Sequence, residues 1–252
     1  MQNNKLKFYL NKIKTIDGSY PLYVAENMCN SFLYSEFLLS HYNLISEYFP
    51  QNSKNILDVG CGAGPFEIFF AKRDWNIIGI DLNPIAIECC KRNIKKYNLE
   101  DKVKIKCKNI SNFKYDKKFD IIITNPPYGT SSYMRDNLID NRFEIYEKIK
   151  KGIFDAEVDD FLTNCWCDEN GKDMLDYIFD RRTELLKENG MVLIVCGDDF
   201  VDSKEYMINK ASKYNFILVH SLAKNKHICI IDNGEKFETT KKINILLFRY
   251  NS

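Results

Sequence analysis

The sequence predicts an α/β fold: a three-layer sandwich around a mostly parallel, seven-stranded sheet, preceded by a helical N-terminal extension. Three observations carry this. From Asn55 onward, short apolar runs alternate with amphipathic stretches, the pattern of βα units around a parallel sheet. Two of the amphipathic stretches open on proline, whose missing N–H does no harm at the first helical position. The apolar runs are short and separated by breaker residues, as sheet strands are.

Taken in order, residues 1–50 read as mostly helical, and SFLYSEFLLSHYNLISEYF carries an apolar stripe suited to cover one face of the sheet or the ligand mouth. Residues 1–54 are taken as the extension and 55–252 as the main domain. Its strands are NILDV (55–59), NIIGI (76–80), KVKIKC (102–107), FDIIIT (119–124), MVLIVC (191–196), FILVHSL (216–222) and INILLFRY (243–250), and HICII offers an eighth. The helices are PFEIFFAKR, PIAIECCKRNIKKYN, GKDMLDYIFDRRTELLKENG, stopped by Gly190 at its C′ position, and SKEYMINKASKY. Between them lies an insertion at about 129–170 without strong periodicity. Loops of that length are usually functional, so it is expected to form an acceptor pocket or lid, with Tyr133, Phe143, Tyr146 and Trp166 available for stacking.

Composition narrows the function. With 45% hydrophobic and 28% charged residues and a net charge of +1, this is not the profile of a dedicated polyanion binder. The stretch Lys91–Lys118 is the candidate basic patch, with a solvated helix face as its plainer reading. No apolar run approaches the ~18 residues of a membrane span, and the N-terminus lacks a signal-peptide core, so a cytoplasmic location is expected. Nine cysteines, an odd number, argue for reduced thiols. CWC at Cys165–Cys167 lacks zinc-site spacing, and no metal is expected.

The chemistry is concentrated at two strand ends. NILDV runs into DVGCGAG, residues 58–64, then a helix. Gly60, Gly62 and Gly64 let the backbone approach a ligand, and Asp81, at the end of the next strand, stands where a ribose-binding carboxylate is expected. FDIIIT runs into NPPY. A parallel sheet delivers Asn125 to the ligand rim, and the two prolines stiffen the segment and leave the Pro126 carbonyl free. Asn125 and that carbonyl make two acceptors suited to an –NH2 group, and Tyr128 offers a flat face for a planar acceptor.

ILDVGCGAG resembles the first motif of class I S-adenosylmethionine-dependent methyltransferases, IGIDLNP the second, and NPPY the fourth motif of the N-methyltransferases among them. The resemblance spans residues 55–250 and implies S-adenosyl-L-methionine as cofactor. Asp58 would hold its amino-acid end and Asp81 its ribose. Where the family often has an acid near the adenine, Asn109 would serve as a neutral hydrogen-bonder. The implied cofactor set is Asp58, Gly60, Gly62, Gly64, Asp81, Leu82, Asn109, Ile110 and Asn125. The catalytic set is Asn125, Pro126 and Tyr128. Such enzymes methylate adenine N6 in DNA or RNA, or glutamine side-chain amides. GKDMLDYIFDRRTELLKENGMVLIV resembles the glutamine-modifying HemK family, whereas Gly129 after NPPY is closer to adenine methyltransferases. The expectation is a protein glutamine amide, with RNA or DNA adenine, or a small metabolite, as alternatives. No membrane partner is expected, and an activating subunit is left open.

Overall fold

A computed structural model describes residues 7–26, 28, 32–126, 141–164, 167, 172–197, 203–232 and 235–251. The elements are β1 (Phe8–Thr15), β2 (Gly18–Ala25), α1 (Leu33–Ser40), α2 (Tyr42–Ser46), β3 (Asn55–Val59), α3 (Pro65–Ala71), β4 (Asn76–Asp81), α4 (Pro84–Lys96), β5 (Val103–Cys107), β6 (Phe119–Thr124), α5 (Arg142–Lys150), α6 (Ala156–Asn164), α7 (Met174–Asp180), α8 (Arg182–Leu185), β7 (Leu186–Gly197), α9 (Ser203–Ser212), β8 (Phe216–Asp232) and β9 (Glu235–Tyr250).

The main sheet has seven strands in the order β5-β4-β3-β6-β7-β9-β8. The first five are mutually parallel, and β9 pairs antiparallel with both β7 and β8. Strand β6 is buried along its whole length, which is why FDIIIT reads as a continuous apolar run rather than an alternating one. Helices cover both faces. On one, Leu38, Leu39, Phe69 and Phe70 pack on Ile56, Ile121 and Leu193. On the other, Ile145, Phe161, Ile178 and Phe179 pack on Leu57, Ile122 and Val192. The parallel order reverses between β3 and β6, so the ligand crevice of such a sheet falls there.

Local chemistry sets the helix starts. Asn83 caps α4 by accepting from the Ile85 amide at 2.9 Å, with Pro84 following it. Asp173 opens α7 in a capping box with Asp176.

Three expectations are corrected. Residues 8–25 are not helical but an antiparallel hairpin, paired from Phe8↔Ala25 to Thr15↔Gly18. Ile13, Leu22 and Val24 are buried while Lys12 and Lys14 are exposed, a period-two pattern around an Asp17-Gly18 turn that favours a hairpin. Helix begins only at Leu33. Second, Gly190 does not end a helix. The helical stretch stops at Leu185, β7 begins at Leu186, and the register slips so that residues 187–190 stand opposite Asp120. Lys187 crosses that slip to Asp120 Oδ1 at 2.8 Å. Third, HICII is not a separate strand but part of β8, whose pairing with β9 runs well past the last β7 partner, Ile243.

The insertion carries two helices within its described part, α5 and α6, seated on the second core through Ile145, Val158 and Phe161. Tyr146 packs edge-to-face on Phe161, and Phe143 is exposed. Tyr128, Tyr133 and Trp166 lie outside the described residues. No described helix is long and apolar enough to cross a membrane.

Candidate cofactor and acceptor site

The turn after β3 takes the conformation its glycines permit: φ is 81° at Gly60, 55° at Gly62 and 84° at Gly64, values L side chains rarely adopt. The amides of Gly60 and Cys61 donate to the Ile80 carbonyl at 2.8 and 3.1 Å, tying the turn to β4. A side chain at Gly62 would meet nothing within 4 Å, so the turn is bare on that side. Asp81 is held rigidly, accepting from the Gly62 amide through Oδ2 and the Asn83 amide through Oδ1, both at 2.9 Å. Burial keeps its pKa above the usual carboxylate value despite these donors.

Asn109 stands past the end of β5. Its side-chain oxygen caps the short 3-10 turn Ile110–Asn112 by accepting from Ser111 at 2.9 Å, and Ile110 is buried. Leu82 is partly buried against the second core. The insertion reaches this edge, where Asn83 Nδ2 donates to Asp159 of α6 at 3.2 Å.

Asn125 is placed by register. Val59 pairs with Thr124, so the residue after each, Gly60 and Asn125, stands side by side at the reversal of strand order. Thr124 Oγ1 donates to the Val59 carbonyl at 2.9 Å and locks that register. Asn125 is partly exposed and Pro126 buried. Met174, at the start of α7, lies 3.3 Å from Thr124 Oγ1 and packs under Gly60. The structure therefore brings Gly60, Gly62, Asp81 and Asn125 to one rim.

Asp58 is different. It is 1% exposed, sealed below the turn, and its carboxyl lies against that of Glu67, which is fully buried in α3. Among the described residues neither carboxyl meets a cation, and the donors they meet belong to the pair itself, the Glu67 backbone amide included. Burial, then Glu67, pushes Asp58 well above the ordinary range, and burial pushes Glu67 up to about 8. Two thiols adjoin them. Cys61 is raised by its hydrogen bond with Cys90 and by burial, and burial raises Cys90 to about 12.

Sequence reasoning missed Glu67 and Cys90. The signals were a lone acid in the aromatic helix PFEIFFA and a glycine inside β4. A side chain on Gly79 would collide with Glu67 and Ile105, so Gly79 makes the room Glu67 occupies.

Comparison with known proteins agrees with the geometry. Residues 35–145 match the methyltransferase small domain. This stretch resembles a methyltransferase domain. A tRNA1(Val) (adenine(37)-N6)-methyltransferase of Phocaeicola vulgatus is 32% identical over 82 residues, 32% of this chain and 35% of that protein. A release factor glutamine methyltransferase of Clostridium botulinum is 27% identical over 187 residues, 71% of this chain and 60% of that protein. The match spans a third to a half of the length of the tRNA methyltransferases it resembles. A T. thermophilus 16S rRNA N2 methyltransferase, solved with AdoMet and guanosine, superposes with a TM-score of 0.59 at 12% identity, over 98% of this chain and 51% of that one. The fold is that of the class I methyltransferases, shared with this AdoMet-bound enzyme. The bare glycine turn and the fixed Asp81 carboxylate fit that ligand's backbone-bound and hydroxyl-bearing parts.

Proposed function

We propose that the chain is an N-methyltransferase whose acceptor is the side-chain amide of a protein glutamine. The observation that supports it is the Val59↔Thr124 register, which sets Asn125-Pro126 beside the glycine turn. Bound S-adenosylmethionine supplies an electrophilic methyl group. Asn125 Oδ1 and the Pro126 carbonyl each accept one N–H of a planar –NH2. This draws charge onto an otherwise delocalised nitrogen and holds it in line with the methyl, and orientation of this kind is worth up to ~7–11 kcal/mol. No strong base is needed first, because the methylated nitrogen sheds its proton readily.

The electrostatics of the described acceptor side support an amide. Helix α6, joined to the cofactor edge through Asp159, also carries Glu157, and Lys148 is already paired with Asp155 and Glu157. Acids there repel phosphate.

A second reading, RNA adenine, draws on a different surface. Residues 91–118 hold eleven Lys and Arg against three Asp and Glu, a local charge of 11 − 3 = +8. They form the outer face of α4, the edge strand β5 and the loop after it. Lys102 pairs with Asp74 and Arg92 with Glu88, but Lys91, Lys95, Lys104 and Lys108 meet no carboxylate among the described residues. Such a face suits a polyanion.

Labelled methyl transfer from S-adenosylmethionine into cell extract separates the readings: label lost only to protease supports the glutamine amide, and label lost to ribonuclease replaces it with RNA. In the same assay Asn125→Ala should lower turnover about 10²–10³-fold, the usual loss of one positioned polar group, with cofactor affinity unchanged. Asp81→Ala should instead weaken cofactor binding by about 10–100-fold.

A further inference from the structure

Beneath the glycine turn four acid-bearing side chains from four elements meet: Asp58 of β3, Cys61 of the turn, Glu67 of α3 and Cys90 of α4. A carboxylate oxygen of Glu67 and the two sulfurs all lie within 4.8 Å of one another, and all three residues are buried. Among the described residues the carboxyls of Glu67 and Asp58 have no hydrogen-bond partner outside their own pair. A buried carboxyl short of polar partners is unfavourable unless something compensates it. At Asp173 and Asp176 Lys210 does so; here no described Lys, Arg or His reaches the pair.

We propose that Cys61, Cys90 and Glu67 bind a zinc ion, with Asp58 behind Glu67 as its hydrogen-bonded support. The donor set selects the metal. Two thiolates exclude calcium and magnesium, which take oxygen ligands, and favour a borderline-soft dication. Tetrahedral zinc holds thiolate and carboxylate donors roughly 3.3–3.8 Å apart, inside the span these three already occupy. Binding releases the protons of the two thiols and of the Glu67 carboxyl, leaving three negative charges against the ion's two. Asp58 keeps its proton and donates it to the second oxygen of Glu67, the usual way a ligating carboxylate is oriented. The ion then ties the cofactor turn to the two helices that flank it. The ligand positions, 61, 67 and 90, match no familiar zinc spacing, so the site is invisible in sequence and assembled only by the fold.

The test is metal content of the full chain, purified under reducing conditions from zinc-supplemented medium. About one zinc per chain is expected. Replacement by cobalt should give a thiolate-to-metal charge-transfer band. Cys90→Ser should lose both the zinc and the band, whereas Cys107→Ser and Cys167→Ser, outside the cluster, should keep them. Folded wild-type protein with neither stoichiometric zinc nor the cobalt band overturns the proposal without reference to any variant. So does zinc that survives Cys90→Ser and is lost in Cys167→Ser. Neither readout depends on methyl transfer, so failure of the acceptor reading leaves this test intact.

Discussion

The chain holds two carboxylate pairs on opposite faces of its sheet, and it treats them in opposite ways. Asp173 and Asp176 face Lys210, whose ammonium lies 2.6 and 2.9 Å from them, and the Tyr214 hydroxyl donates to Asp176 at 3.1 Å. Burial there pushes upward on Asp176, but Lys210 and the Asp173 amide outweigh it and hold its pKa below the ordinary value. Asp173 stays raised because burial outweighs Lys210. Asp58 and Glu67 have no such cation and keep their protons well above the ordinary range. The first pair is a helix cap with its charge balanced. The second is left neutral and short of hydrogen-bond partners directly under the cofactor turn, and buried polar atoms so placed point to a ligand.

The two pairs differ most in their response to pH. In protein stripped of metal, Glu67 has a folded pKa of about 8 against 4.5 for a free side chain. The folded state then binds more protons than the unfolded state between those values, so stability falls as pH rises through that window, by up to about 1.4 kcal/mol per unit. Thermal unfolding in chelator at points from roughly pH 5 to pH 9 should show this decline, and Glu67→Gln should reduce it to the part that Asp58, also raised, contributes. A wild-type profile already flat would erase the difference between the pairs. With zinc bound the slope should reverse, since the ligands must lose protons to bind.

Next in size is Lys210→Met, which turns the balanced pair into a second uncompensated one. Lys210 is largely buried, with its partners about a fifth exposed, so a loss of about 2–3 kcal/mol is expected from urea unfolding. A loss below ~0.5 kcal/mol would mean that the lysine does not distinguish the two sites. The smallest effect belongs to Asp173→Ala, which removes the cap of α7 while leaving Asp176 paired with Lys210; about 1 kcal/mol is expected.

What could be read from sequence was whatever depends on neighbours along the chain. The strands at 55–59, 76–81 and 119–124 are apolar runs closed by breakers, and the glycine turn, Asp81 and Asn125 follow directly from their ends. The hairpin at 8–25 was obscured because its outward positions hold lysines that read equally well on a helix. Its Asp-Gly turn was the overlooked signal. Nothing local separates the end of the helix at Leu185 from the strand at Leu186, because pairing with Phe119, far away in sequence, decides that boundary. Glu67 was hidden for the same reason, since only folding sets it against Gly79, Asp58 and Cys90.

The last two strands have a separate consequence. Beyond the final β7 partner, β8 and β9 continue through eight further pairs, Asn225↔Lys242 to Asp232↔Glu235, with one another as their strand neighbours. At ~3.4 Å per residue this ribbon reaches about 27 Å past the sheet. Two strands alone are marginally stable in water, so amides near its tip should exchange with solvent by fraying, while those between β7 and β8 wait for global opening. One continuous strand, β9, should thus record both exchange by fraying and exchange by global opening, ordered residue by residue along its length.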